Sequence, residues 1–181
     1  MKYVALLRGI NVGNSVKINM KELKELFENN AYSNVSTYIN SGNVFFDSID
    51  KRNNIHVNIE KELLHKTGSE IKVLIKTKFE IVKIANSIPT LWKNNSDQKT
   101  DVAYLFESVD NEKIIEGLPI KKEYIKIMYI KGAIIWNVRR ENYNKSQLNK
   151  LISHKIYKDM TVRNVNTARN IASHFMEDHF G

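Results

Sequence analysis

The chain has 181 residues, of which 42% are hydrophobic and 27% charged, a composition typical of a soluble globular protein with one domain or two small halves. It contains no cysteine, which excludes disulfide bonds, thiolate metal sites and cysteine nucleophiles. The first apolar run, Tyr3 to Leu7, is too short for a secretion signal, and no stretch has the roughly 18 apolar residues of a membrane span. We therefore predict a cytoplasmic protein with no membrane partner.

The excess positive charge lies in one part of the chain. The net charge is +8 at pH 7, and between Lys121 and Arg169 twelve Lys or Arg residues stand against three acidic ones. This asymmetry favours a surface that binds an anion. The alternative is that many of the 22 lysines are only solvated surface residues.

The first half has the order β-α-β-β-α-β. Runs rich in β-branched and aromatic residues predict strands at 2–8, 34–40, 43–47 and 71–76. Helical periodicity predicts helices at 20–29 and 53–66, and Gly68 follows the second helix where a helix end is expected.

A linking helix at 78–87, ended by Pro89, precedes a second copy of this order. We predict strands at 101–107, 123–130, 133–138 and 160–163, helices at 110–116 and 145–152, and a last helix at 166–176. The corresponding divisions are a first half at 1–77, a linking helix and loop at 78–100, and a second half with the last helix at 101–181.

Short repeated motifs support a duplication. YIxSG at Tyr38 is echoed by YIKG at Tyr129, an offset of about 90 residues, and VALL at Val4 by VAYL at Val102, an offset of 98. The difference predicts extra chain in the loop at 9–18 of the first half. Strands such as VALL and AIIW are apolar on both faces, so either the halves pack into one compact protein or a homodimer covers the second faces.

The loop RGINVGNSVKIN, which follows the first strand, is the first candidate for a binding role. It matches neither the dinucleotide fingerprint nor the Walker loop, because its glycines have the spacing G-x-x-x-G. Still, it carries Arg8 and Lys17 and leads into a helix amino terminus, which favours anions. The alternative is a structural turn in which Asn19 and Glu22 form a capping box and satisfy the helix amides themselves.

A second group of candidates lies near the carboxyl terminus. Arg163 stands directly before the last helix, whose cap is Asn164 or Asn166, and a guanidinium beside free helix amides is suited to phosphate or carboxylate. The stretch RRENYNKS adds further polar candidates, namely Arg139, Arg140, Tyr143, Lys145 and Ser146. The alternative is a capped surface helix with incidental arginines. His174 and His179 flank MED near the end, but the scattered histidines predict no metal site.

Three segments, YVALLRGINVG, TYINSGNVFF and TVRNVNT, resemble the hallmark segments of a bacterial family known as domain of unknown function 1697. The resemblance implies a fold of two ferredoxin-like units and no established activity. Two departures stand out, Asn14 where the family often has glycine and Val165 where it often has tryptophan. The characteristic residues that the resemblance implies are Arg8, Gly9, Asn11, Gly13, Thr37, Ser41, Gly42, Asn43, Ser146, Arg163, Asn164 and Thr167.

Taken together, the sequence predicts an α+β protein of two β-α-β-β-α-β halves that binds a small phosphorylated or nucleotide-like anion in a cleft between them, as an enzyme or a binding protein. We expect the opening loop and TVRNVNT to meet, so that Arg8 and Arg163 reach one anion. Ser41 in the TYINSGNVFF turn is interpreted as a turn residue rather than a nucleophile, and no catalytic residue or cofactor is assigned.

Two other functional classes stay open. One is a nucleic-acid-binding module that uses phosphate contacts alone, because Ala5 and Ala103 occupy the positions at which the RNA-recognition fold carries stacking aromatics. The other is a structural or partner-binding protein whose apolar sheet face is an interface.

Overall fold

The structure is a computed structural model that describes residues 1–177. It contains two four-stranded antiparallel sheets with helices. The chain divides into two units between residues 79 and 80. The duplicated α+β architecture predicted from the sequence is confirmed. The packing of the halves into one compact protein stays a prediction.

The first unit has the ferredoxin-like arrangement. Its elements are β1 (Lys2–Leu7), α1 (Met20–Asn29), β2 (Ser33–Tyr38), β3 (Asn43–Asp47), α2 (Arg52–Thr67) and β4 (Val73–Thr77), with the sheet order β2-β3-β1-β4. Asn19 caps α1, and α2 ends at Gly68, whose φ of 70° is the left-handed conformation that glycine adopts without strain.

The core of the first unit lies between the sheet and its two helices. Alternate residues of β1, Ala5 and Leu7 among them, share a buried cluster with Leu23, Phe27 and Ile59 of the helices. Each large apolar side chain buried in this way contributes about 1.5–3 kcal/mol. The opposite face of β1, formed by Val4 and Leu6, is also buried, as expected for strands without a polar side.

The second unit repeats the sheet with a different set of helices. After α3 (Lys78–Asn86) come β5 (Gln98–Leu105), β6 (Ile125–Ile130), β7 (Ala133–Arg139), β8 (Met160–Asn164) and α4 (Val165–Glu177). The sheet order β6-β7-β5-β8 matches that of the first unit strand for strand. Helix α4 lies against β5 and β8.

The predicted helices at 110–116 and 145–152 are wrong. The chain forms short 3-10 helices there, over Glu112–Gly117 and Leu148–Ser153. Asp110 faces the β6–β7 turn, where its carboxylate accepts hydrogen bonds from the amide of Gly132 at 2.8 Å and the hydroxyl of Tyr129 at 3.1 Å. Gly117 and Pro119 follow closely, and both residue types disfavour an α-helix.

The duplication extends to single hydrogen bonds. The Leu7 amide donates to the Gly42 carbonyl at 2.8 Å, and in the second unit the Leu105 amide donates to the Gly132 carbonyl at 2.9 Å. The sequence predicted that the added residues of the first unit lie in the loop at 9–18. Only part of them do. The β2–β3 turn at 39–42 is also longer than the β6–β7 turn at 131–132, and α1 has 10 residues where the second unit has a 3-10 helix of 6.

The position of the alanines also corrects the sequence interpretation. Ala5 belongs to the core between the first sheet and its helices, and Ala103 to the core that the second sheet forms with its 3-10 helices, so neither alanine occupies a stacking position. The opposite face carries Val4 and Leu6 on β1, and Val102 and Tyr104 on β5, all of which are buried. On these two strands of the described chain, neither face offers an exposed aromatic ring for base stacking.

Candidate anion site at the end of strand β1

Asn11 holds the loop between β1 and α1 in one conformation. Its Nδ2 donates to the Ile18 carbonyl and to the Asn40 carbonyl, both at 2.9 Å, and its Oδ1 accepts from the Ile18 amide at 2.9 Å. The backbone of Asn11 is left-handed, with a φ of 56°, which asparagine tolerates better than most residues. This one side chain therefore closes the loop and ties it to the β2–β3 turn.

The loop is also anchored in the core. Ile10 and Ile18 are buried members of the first unit's core, and Val16 packs against that core. Ile10 and Val16 form a β-bridge, and the Asn11 amide donates to the Val16 carbonyl at 2.9 Å. The loop is thus an ordered part of the structure, with a fixed arrangement of backbone groups at its exposed tip.

The three glycines of this region have different roles. A Cβ on Gly42 would lie 2.7 Å from Ile10 Cδ1 and 2.8 Å from Leu7 Cβ, so close packing requires glycine there. Gly9 and Gly13 also have positive φ, but a Cβ on either would meet no atom within 4 Å. Their backbone is therefore open to close approach by a ligand. Among residues 1–177, the amides of Gly13 and Asn14 have no hydrogen-bond acceptor.

The β2–β3 turn is built around a buried asparagine. Asn43 Nδ2 donates to the Tyr38 carbonyl at 2.9 Å and to Ser41 Oγ at 3.0 Å. Ser41 lies in the turn itself and is partly exposed. Ile39 has a φ of 51°, an unusual conformation for a β-branched residue, and its side chain is exposed.

Three cationic residues, Arg8, Lys17 and Lys72, belong to this end of the sheet. The Arg8 amide donates to the Lys72 carbonyl at 2.9 Å, which brings these two residues side by side. Lys17 Nζ donates to the Gly13 carbonyl at 2.8 Å, so the third ammonium lies over the loop. The sequence analysis did not include Lys72 among the candidate site residues. Its position directly before a strand that pairs with β1 could have identified it.

The predicted capping box at α1 is only half formed. Asn19 Oδ1 accepts from the Lys21 amide at 2.8 Å, whereas Glu22 Oε2 lies 3.6 Å from Lys66 Nζ on α2. The negative charge of Glu22 is therefore partly offset by Lys66, which reduces its repulsion of an anion near the helix start.

In the second unit, Arg163 is a buried residue of β8. Its Nη1 donates to Thr161 Oγ1 at 2.9 Å and to the Val162 carbonyl at 3.0 Å. Burial lowers the pKa of Arg163 to about 10, although the nearby Tyr104 and Tyr157 act in the opposite direction. The guanidinium therefore still carries its charge at neutral pH.

Three other candidates of the second unit make contacts within the fold, and a binding role for them stays a prediction. Asn164 is the cap of α4, because its Oδ1 accepts from the Thr167 amide at 3.0 Å. Ser146 is buried, and its Oγ donates to the Tyr143 carbonyl at 2.6 Å and accepts from the Leu148 amide at 3.3 Å. Tyr143 packs against the second unit's core. The meeting of Arg8 and Arg163 at one ligand stays a prediction.

Two further findings concern membrane spans and metal sites in the described residues. No helix in residues 1–177 is long and apolar enough to cross a membrane. The same residues contain no group of three or more His, Asp or Glu side chains arranged to hold a metal ion. His179, one of the two histidines near the end of the sequence, lies outside the described part of the chain.

Comparison with known proteins identifies the family of this chain. The family model described as "Protein of unknown function (DUF1697)" matches residues 1–136. The chain belongs to the DUF1697 family. The matched segment includes the opening loop and the β2–β3 turn but ends before Arg163.

A solved structure has a similar fold over nearly the whole chain. The DUF1697 chain is similar to a conserved bacterial protein from Streptococcus pneumoniae, with a TM-score of 0.81 and 27% sequence identity over 96% of this chain and 98% of that one. A comparison with curated proteins gave no match.

Proposed function

We propose that this protein binds a small anionic, phosphorylated metabolite at the end of β1, on the loop at residues 8–19. The observation that carries the proposal is the ordered loop itself, which Asn11 fixes while it leaves Gly9 and Gly13 open at the surface. Lys17 Nζ lies on the Gly13 carbonyl, and Arg8, which directly precedes Gly9, is joined to Lys72 by a backbone hydrogen bond, so three cationic residues belong to this region.

The chemistry of the loop suits an anion in two ways. Amides that lack a protein acceptor, such as those of Gly13 and Asn14, can donate to phosphate oxygens. A preformed loop loses little conformational entropy when it binds, so a small ligand can bind with useful affinity. No residue of the loop is placed as a general base or nucleophile, so the proposal is one of binding.

The proposal can be tested with inorganic phosphate and simple sugar phosphates. A ligand at 100 times its dissociation constant should raise the free energy of unfolding by about 2.7 kcal/mol. In the amide NMR spectrum, we expect the largest shifts at Gly9, Gly13 and Asn14. Arg8→Ala and Lys17→Ala should weaken binding, whereas Lys61→Ala, which removes an exposed cation from α2, should not.

Two results would contradict this proposal. One is the absence of any phosphate-dependent shift at the three loop amides of the folded protein. The other is binding whose affinity is the same in Arg8→Ala, Lys17→Ala and the Lys61→Ala control.

A second candidate function is nucleic-acid binding through phosphate contacts alone. It is supported by exposure of ten of the twelve cations between Lys121 and Arg169. Such binding should be weak, independent of base sequence and steeply dependent on salt. Sequence-selective binding that persists at high salt would contradict this mode.

A further inference from the structure

The second unit contains a groove of about 680 Å³ between strands β5, β6 and β7 of its sheet and the loop before β5. We call it the Trp92 groove. One wall is the apolar turn 89–92, in which Leu91 is exposed and Trp92 partly exposed. The floor is formed by Gln98 on β5 and Asn137 on β7. A groove of this size holds a molecule of a few hundred daltons.

The wall of the Trp92 groove is held by several hydrogen bonds. The Trp92 amide donates to the Pro89 carbonyl at 2.9 Å, and Arg169 Nη2 on α4 donates to the same carbonyl at 3.1 Å. Farther along, Arg140 Nη2 donates to Asn94 Oδ1 at 3.0 Å, and Arg140 Nε donates to the Asn95 carbonyl. The groove is therefore preformed, which lowers the entropic cost of binding.

The two amide side chains of the floor have defined orientations. Gln98 Oε1 accepts from the Lys93 amide at 3.0 Å, and a backbone N–H can only donate, so this atom must be the oxygen. The same oxygen accepts from Asn137 Nδ2 at 2.6 Å, and that nitrogen also donates to Thr100 Oγ1 at 2.8 Å. Within residues 1–177, these bonds leave Gln98 Nε2 as a donor and Asn137 Oδ1 as an acceptor for a ligand.

The rim of the groove carries charge of both signs. Lys126 and Arg139 lie beside the floor residues, because Lys126 pairs with Asn137 and Arg139 with Gln98 across the strands. Arg139 Nε is 3.6 Å from Glu141 Oε1, but both side chains are largely exposed, so this ion pair is weak and can yield to a phosphate. Asp97 supplies a single carboxylate, which can accept hydrogen bonds from ribose hydroxyls.

We infer that the Trp92 groove binds a nucleoside phosphate, with the base against Trp92, its polar edge on Gln98 and Asn137, and the phosphate near Lys126 and Arg139. A neighbouring donor and acceptor match the edge of a nucleobase, and an aromatic side chain stacks on any base. A phosphate alone would make no use of the apolar wall, and an acidic peptide would be repelled by Asp97. The residues that line this groove all belong to the second unit, and none of them is part of the loop at residues 8–19.

The inference can be tested with adenosine monophosphate, adenosine, inorganic phosphate and a single-stranded oligoadenylate. The fluorescence of Trp92 can report on binding in the groove. The other tryptophan, Trp136, is buried and donates from Nε1 to Asp101 Oδ2 at 3.1 Å, so a ligand in the groove should not quench it. The variants are Trp92→Leu, which removes the stacking surface, Arg139→Gln, which removes a rim cation, and Lys155→Gln, which removes an exposed cation that does not line the groove.

We expect adenosine monophosphate to quench Trp92 and to bind more tightly than adenosine or phosphate. Trp92→Leu, whose affinity is measured by calorimetry because this variant lacks the fluorescent reporter, should weaken both adenosine compounds about tenfold. Arg139→Gln should weaken adenosine monophosphate about tenfold but leave adenosine within about twofold. Lys155→Gln should change neither. The oligoadenylate distinguishes two sources of this ligand. If it binds more tightly than the mononucleotide, the natural ligand is a nucleotide within a single-stranded nucleic acid. If the two bind equally, the natural ligand is a free nucleotide.

Two results would overturn the inference. The first is that neither the mononucleotide nor the oligoadenylate quenches Trp92 of the folded wild-type protein at about 1 mM, a concentration that half-saturates a site whose dissociation constant is about 1 mM. The second is that wild type, Trp92→Leu and Arg139→Gln, each shown to be folded by circular dichroism, bind adenosine monophosphate with equal affinity. Arg8→Ala separates the two proposed sites, because it should weaken phosphate at the loop and leave quenching of Trp92 by adenosine monophosphate unchanged.

Discussion

Gly42→Ala should be among the most destabilising single changes in the first unit. Gly42 has a φ of 75°, and an added Cβ would lie 2.7 Å from Ile10 Cδ1 and 2.8 Å from Leu7 Cβ. The left-handed conformation costs an alanine about 1–2 kcal/mol, and inserting a methyl group into a packed site costs about 1–3 kcal/mol. The sum, about 2–5 kcal/mol, is a large part of the stability of a typical domain.

A matched variant separates the two contributions. Gly9 has a φ of 65°, but a Cβ there would meet nothing within 4 Å, so Gly9→Ala should cost only the conformational part, about 1–2 kcal/mol. Urea unfolding of wild type and both variants measures the difference. If Gly42→Ala and Gly9→Ala are equally destabilising within about 0.5 kcal/mol, the packing argument for Gly42 is wrong.

Three further predictions concern side-chain hydrogen bonds. Asn11→Gly keeps the left-handed backbone but removes the bonds that close the loop, so urea unfolding should show a loss of about 1–3 kcal/mol; no loss would mean that the loop does not depend on this side chain. Burial tends to raise the pKa of Asp110, but hydrogen bonds from Lys131, Gly132 and Tyr129 outweigh it, so the net pKa is lowered. Because the folded pKa is depressed, Asp110 stabilises the protein above about pH 4 and loses this effect as the pH falls through the folded pKa. The difference in unfolding free energy between wild type and Asp110→Asn should therefore shrink between pH 7 and pH 2, and a constant difference would refute this. Asn164→Ala should cost about 1 kcal/mol through loss of the α4 cap, whereas Asn166→Ala should cost much less, and the reverse order in thermal or urea unfolding would show that the cap is assigned wrongly.

Much of the secondary structure could be predicted from local pattern. The bounds of α1, Met20–Asn29, and of β3, Asn43–Asp47, agree with the sequence prediction because each has a local signal, a helix-capping Asn19 for α1 and a turn with glycine for β3. The repeated motifs also predicted the duplication, since equivalent strands with equivalent ends need similar residues. These features depend on neighbours within a few positions along the chain.

The second unit shows where local pattern is insufficient. The segment 110–116 has helical periodicity, yet Asp110 bonds to Gly132 and Tyr129, which are distant in sequence, and a 3-10 helix results. A few tenths of a kcal/mol of helix propensity per residue cannot compete with a buried carboxylate that needs its partners.

For the candidate sites too, the sequence determined some features and only the tertiary structure decided others. The sequence alone determined that the loop at residues 8–19 is unusual, because its glycines, Arg8 and Lys17 stand together in the chain. Only the tertiary structure decided that Asn11 closes this loop onto Asn40, that Lys72 lies beside Arg8, and that Arg163 is buried. The Trp92 groove likewise joins residues from three strands and a loop, and strand pairing rather than sequence spacing brings Lys126 beside Asn137. Contacts between residues far apart in sequence depend on the packing of whole elements, which no short motif encodes.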